Sequence, residues 1–264
     1  MFRDNIDFQQ AAFQTYVNFT QAGFHGDAGF TQTAFAGHAK FMKAMFERGA
    51  EFRRAAFLSG AGFSEATFAH DADFIGAAKV GSRGAEQQEL QLSTVLTKQD
   101  DRHKLTRLLL VPIHKSQASR LESSRKINFH QVTFKAKVDF TDRVFPNATS
   151  FDRCRFLSQA PIFAETGLHQ STTWHDISWP SSPNELEDVR IRVDAYRNLR
   201  LRMKQIENYD QEILFLRMEL DAKQRGHWLS HNYLRWLPGF LYQRLSNYGT
   251  SILRPIIGLS LMIY

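Results

Sequence analysis

The chain has 264 residues, a formal net charge of +6, 23 phenylalanines and one cysteine. A lone cysteine excludes an intrachain disulfide framework, and neither an HExxH run nor paired cysteines are present to hold zinc. Residues 1–80 and 127–180 are close to neutral and the basic excess falls in 81–126 and 181–264, so a field able to capture nucleic acid would have to come from outside 1–80.

The start, Met1-Phe2-Arg3-Asp4-Asn5, lacks the charged-then-apolar order of a cleaved leader, so secretion by that route is not expected. Phenylalanine then recurs at 8, 13, 19, 24, 30, 35, 41, 46, 52, 57, 63, 68 and 74, in steps that alternate between five and six. Two residues before most of them stands a small apolar side chain, as in Ala22, Ala28, Ala39, Ala44, Ala50, Ala61 and Ala72. Repetition at a fixed short period marks a solenoid. The step matches neither an amphipathic helix nor a continuous alternating strand. It suits a chain that turns a corner after each short extended segment, with residues two apart pointing the same way. Four such units close one square coil of 22 residues. The predicted interior is then phenylalanine and alanine in stacked ladders, over a first block at 1–79.

Residues 80–126 interrupt the ladder. Lys98-Gln99-Asp100-Asp101-Arg102-His103-Lys104 is polar, and Leu105 to Val111 is mostly apolar before Pro112. The segment reads as a basic insertion, part helix and part disorder. A basic loop docking on an anionic partner is the alternative reading. No phosphate-cradling glycine motif and no aromatics among its basic residues argue for nucleic acid.

The repeat resumes at Phe129, Phe134, Phe140, Phe145, Phe151 and Phe156, with Ile162 expected to continue it. Ile127, Val132, Val138, Thr149 and Cys154 take the small inward place, which makes Cys154 core filler. Arg143 breaks that rule and is expected to reach outward at a corner. A second block with its terminal coil spans 127–180, and Trp174 and Trp179 are placed to seal its end.

These units resemble the pentapeptide-repeat family, whose units follow A-x-[LF]-x-x. Ala50-Glu51-Phe52-Arg53-Arg54-Ala55-Ala56-Phe57 and Ala61-Gly62-Phe63-Ser64-Glu65-Ala66-Thr67-Phe68 match that pattern over residues 6–78 and 127–163, although every second unit carries an extra residue. The resemblance implies a mainly β fold, a right-handed quadrilateral β-helix. Some relatives mimic nucleic acid and inhibit topoisomerases. That rival role needs a markedly negative outer face, and the near-neutral repeat body disfavours it.

Ser182-Pro183-Asn184-Glu185 reads as a helix start, with Ser182 as cap and Pro183 in the first helical position. Val189, Val193, Tyr196, Leu199 or Arg200, Met203 and Ile206 follow at helical spacing. Asn208 with Gln211 is expected to cap a second helix carrying Ile213, Leu216 and Leu220 and ending near Gly226. An antiparallel helix pair is predicted over 182–226, packing on itself, on the solenoid end or on a second subunit.

No acidic residue follows Asp221, while Lys223, Arg225, Arg235, Arg244 and Arg254 alternate with Trp228, Tyr233, Trp236, Phe240, Tyr242 and Tyr248. Arginine with Trp and Tyr beside an apolar run is the composition of an interfacial belt. Residues 227–264 are therefore predicted to be membrane-proximal, with Arg235, Trp236, Arg244, Tyr248 and Arg254 as interface candidates. The apolar run Ile256 to Tyr264 falls short of the roughly 20 residues of a span. Tyr248-Gly249 and Leu253-Arg254-Pro255, with Leu168-His169-Gln170, Trp179-Pro180 and Glu219-Leu220, resemble bacterial pentapeptide-repeat proteins that continue into an ion-channel-like membrane module. The resemblance implies such a module cut short here, without channel activity.

His25, His38 and His70 fall on outward or corner positions, as do Glu47, Glu51, Asp71 and Asp73, without a constellation for acid–base chemistry. No catalytic residue, cofactor or metal ligand is assigned, and the chain is expected not to be an enzyme. The expected role is a structural and interaction scaffold on the cytoplasmic face of a bacterial inner membrane. Its expected partners are an anionic membrane surface and a protein, with self-association through the N-terminal coil or the helix pair as a further option.

Overall fold

The computed structural model describes residues 1–76 and 126–246. Most of the expected insertion lies outside the described residues, as do Tyr248, Arg254 and the apolar run at the end. The chain divides into two units, Met1–Pro180 and Ser181–Tyr264.

The first unit is a β-solenoid with four walls of parallel two-residue strands, numbering five, three, four and five. One wall stacks Ile6–Asp7, Ala28–Gly29, Ala50–Glu51, Ala72–Asp73 and Val138–Asp139. Ile6 faces Ala28, Ala12 faces Ala34 and Val17 faces Ala39, so each coil takes the expected 22 residues. Ala61 faces Ile127 and Ala72 faces Val138, a separation of 66. The separation is 44 residues longer than one coil, and the walls resume in register.

Stacking is what makes so simple an interior stable. Phe24, Phe46 and Phe68 form one ladder with ring centroids 4.6 Å apart, and Phe19, Phe41 and Phe63 form another at 5.1 and 4.9 Å. Those spacings match the strand repeat, so each ring meets its copy at van der Waals distance. Phe41, Phe46, Phe52 and Phe63 are fully buried, and each contributes roughly 1.5–3 kcal/mol by leaving water. In the first coil Phe2, Phe8, Phe13 and Phe19 are only half-buried, because a stacked neighbour covers them from one side.

The alternation of five and six follows from two kinds of corner. In the five-residue step Ala11 N–H donates to Phe8 O at 2.9 Å and Gln10 adopts φ 58°. The same tight turn recurs with Gln21, Gln32, Lys43, Arg54 and Glu65, all left-handed and none of them glycine. The backbone strain is held by the coils on either side. An Asx cap precedes several of these turns: Asp7 accepts from Gln9 N at 2.7 Å, Asn18 from Thr20 N at 3.0 Å and Asp139 from Thr141 N at 2.9 Å. The six-residue corners bring adjacent coils closer, and a Cβ on Gly37 would collide with the Thr15–Tyr16 peptide.

Three ladders cross the insertion. Phe63 stacks on Phe129, Phe68 on Phe134 and Phe74 on Phe140, at 5.1–5.3 Å. Among the described residues the fourth runs Phe13, Phe35, Phe57, and the wall that carries it has three strands. The described chain breaks off at Gly76, one corner before that wall, and resumes at Lys126. Arg143, expected to reach outward, is buried instead. Its Nη1 donates to Ala55 O at 2.8 Å, and its guanidinium lies 5.4 Å from the Phe57 ring centre. An aromatic face and a backbone carbonyl partly replace the water its guanidinium gives up. Burial lowers its pKa to about 10, so the charge is retained at neutral pH.

Near its end the coil lengthens by one residue. Asp139 pairs with Ile162, Val144 with Gly167 and Ser150 with Thr173, each 23 apart. The extra residue shifts the register after Phe156, so Phe163 stands under Phe140 at 4.8 Å and the expected Ile162 does not. Trp174 stacks on Phe151 at 4.4 Å and Trp179 on Phe156 at 5.6 Å, so both tryptophans continue phenylalanine ladders.

The second unit contains α1 (Leu186–Gln205), α2 (Tyr209–Leu229) and α3 (Tyr233–Ser246). The first helix starts later than Ser182 and Pro183 suggest. Glu185 is its N-cap, without a side-chain cap bond, and Arg225 Nε donates to Pro183 O at 3.1 Å in the strand-like lead-in. The Asn208 cap forms as expected, accepting from Gln211 N at 3.3 Å. Val189, Val193, Tyr196, Leu199 and Met203 are buried as their spacing requires. Gly226 lets α2 approach α1, since a Cβ there would lie 2.9 Å from Val189 Cγ1.

Candidate functional site

On α2 the apolar residues chosen by spacing are not the buried ones. Ile213 is exposed, and the buried face runs Phe215, Glu219, Ala222. A stripe read from hydrophobicity alone skips a glutamate, and the correct face is centred on one. Glu219 accepts from Lys223 Nζ at 2.6 Å, Arg200 Nε at 2.9 Å and Arg197 Nε at 3.3 Å. Burial alone would raise its pKa, but the hydrogen bonds and charges of Lys223 and Arg200 outweigh that and hold it below its ordinary value. The cluster joins α1 to α2 by converging three cations on one buried carboxylate, so it reads as a structural lock.

Helix α3 presents a different surface. Its inner face carries Trp236, Gly239, Phe240 and Gln243. Trp236 stacks on Phe240 at 4.7 Å and lies 5.2 Å from Trp228. Gln224 Nε2 donates to Trp236 O at 3.1 Å and Gln243 Nε2 to Asp221 Oδ1 at 2.8 Å, which fixes α3 on α2. The opposite face is apolar yet open to solvent: Leu234 is 91%, Leu237 50% and Leu241 45% exposed. Arg235 and Arg244 flank it, both exposed, and α3 contains no acidic residue. Of the interface candidates, Arg235 and Arg244 thus lie beside this stripe, and Trp236 is half-buried on the packed side. Tyr248 and Arg254 lie outside the described residues. The leucines were missed because composition points to arginine and aromatics, and only the packing of Trp236 and Phe240 shows which face remains open.

The solenoid's polar groups serve its own backbone. Cys154 is buried, its thiol donates to Phe129 O at 2.9 Å, and burial pushes its pKa up to about 12, consistent with core filler. Thr33 and Thr166 make the equivalent bonds to Phe8 O and Phe140 O, at 2.7 and 2.8 Å. Asp7, Glu51, Asp73 and Asp139 share one wall, but Asp73 pairs with Arg53 and Asp139 with Lys137, and three of the four cap turns or face arginine. Ser150, Asp152 and His175 form a cluster that spacing did not reveal, because one coil separates them. Both Ser150 Oγ (2.9 Å) and His175 Nδ1 (3.0 Å) bond to the Asp152 carboxylate. A hydrolytic triad needs serine on the histidine, so this connectivity does not activate a nucleophile. His25 pairs with Glu47 at 2.7 Å. Among the described residues no three His, Cys, Asp or Glu side chains converge to hold a metal, and no helix is long and apolar enough to cross a membrane.

Comparison of the chain with family models, with curated proteins and with solved structures returns no match.

Proposed function

We propose that this protein is a non-enzymatic scaffold of the pentapeptide-repeat type, held at the cytoplasmic face of a bacterial membrane by its C-terminal unit. The stacked phenylalanine solenoid supports the family reading, and its rigid walls suit display of a surface to a protein partner. The observation that carries the membrane reading is charge placement. After Asp221 every charged side chain is basic, and the arginines alternate with tryptophan and tyrosine. A juxtamembrane basic residue near an anionic leaflet contributes about 1 kcal/mol. Flotation of the full chain with vesicles of equal parts phosphatidylcholine and phosphatidylglycerol tests the reading. Binding that weakens with salt and is absent on phosphatidylcholine alone is the expected result, and no binding to the mixed vesicles overturns it.

A further inference from the structure

We infer that α3 is an in-plane anchor: it lies along an anionic bilayer surface with Leu234, Leu237 and Leu241 entering the acyl boundary and Arg235 and Arg244 at the phosphates. The inference rests on the membrane reading above and adds which residues enter, and in what orientation.

The three leucines stand at i, i+3 and i+7, on one side of a helix about 21 Å long. Leu234 is more exposed than any other large apolar residue described in either unit, at 91%. The opposite side of α3 is already engaged by α2 through Trp236 and Gln243, so contact with a surface needs no opening of the helical unit. The fourteen described residues of α3 are enough to lie along a bilayer surface.

Charge selects the occupant. Arg235 and Arg244 border the leucines on opposite sides, and no carboxylate on α3 offsets them. Tyr233 and Tyr242 are about half-exposed at the stripe's margins, at 52% and 51%, where a ring with a polar tip suits the headgroup layer. A leucine stripe bordered by cations and tyrosines complements acyl chains under anionic phosphates. A second copy of α3 would instead bring like charges together.

The test uses the full chain and the same mixed phosphatidylcholine and phosphatidylglycerol vesicles. The variant L234Q/L237Q/L241Q changes only exposed side chains, and circular dichroism checks that its helix content is unchanged. The expected result is binding at least about tenfold weaker than that of the parent chain. R235Q/R244Q is expected to retain binding that responds less to salt. If the parent chain binds and the leucine variant binds equally well, the anchor lies elsewhere in the C-terminal unit: the inference fails and the membrane reading stands. If the parent chain does not bind, both fail. A parent chain that is dimeric in light scattering without lipid, and monomeric as the leucine variant, would make this face a self-interface and overturn the proposal.

Discussion

In the solenoid most of the rings that fill the interior stack on another ring one coil away, and none is charged; in the helix pair the interior closes around a carboxylate. Phe41 lies between Phe19 and Phe63, in a site built by repetition. Glu219 lies among Arg197, Arg200 and Lys223, in a site built by four different residues on two helices. The first kind of core tolerates a 44-residue detour because each new coil needs only the ladder above it. The second depends on every partner, and it responds to pH.

The largest expected effect breaks a ladder. Phe41→Ala should destabilise the solenoid by about 3–5 kcal/mol in chemical denaturation, with loss concentrated in the solenoid by hydrogen exchange. Phe2→Ala, on the half-buried first coil, should cost only about 1 kcal/mol. Equal effects at the two positions would contradict the stacked interior.

Glu219→Ala should cost the helix pair about 2–3 kcal/mol, since three partly exposed cations lose their common acceptor. The same contact sets a pH dependence. The folded pKa of Glu219 is depressed below its unfolded value, so its contribution is complete above the unfolded pKa and disappears as pH falls through the folded one. Hydrogen exchange followed from neutral to acid pH should show α1 and α2 losing protection before the central solenoid coils do. Glu219→Gln should flatten that difference.

A smaller effect concerns the buried arginine. Arg143→Ala should cost about 2 kcal/mol by removing a buried side chain from beside the Phe57 ring, whereas Arg143→Met keeps the volume without a buried charge and should be close to neutral. Thermal unfolding of the two variants separates filling from charge. The smallest change relieves a corner: Gln21→Gly at φ 59° should stabilise by about 0.5 kcal/mol, the left-handed strain exceeding glycine's added unfolded-state freedom. A destabilised glycine variant would show that the glutamine side chain matters more than its backbone.

Phenylalanine spacing by itself determined the solenoid, its 22-residue coil and most of its core, because one inward residue type at one period admits one stacked arrangement. Helical spacing likewise determined the buried face of α1, and Asn208 announced α2. What only tertiary structure decided depended on partners remote in sequence. Arg143 turned inward because an acceptor 88 residues away, Ala55 O, and the Phe57 ring lie within its reach. Phe163 displaced Ile162 because one extra residue enters a late corner. Glu219 replaced Ile213 at the helical interface because arginines on the facing helix neutralise it. The open leucine stripe of α3 belongs to the same class: an amphipathic pattern shows that two faces differ, and packing against α2 decides which one faces solvent.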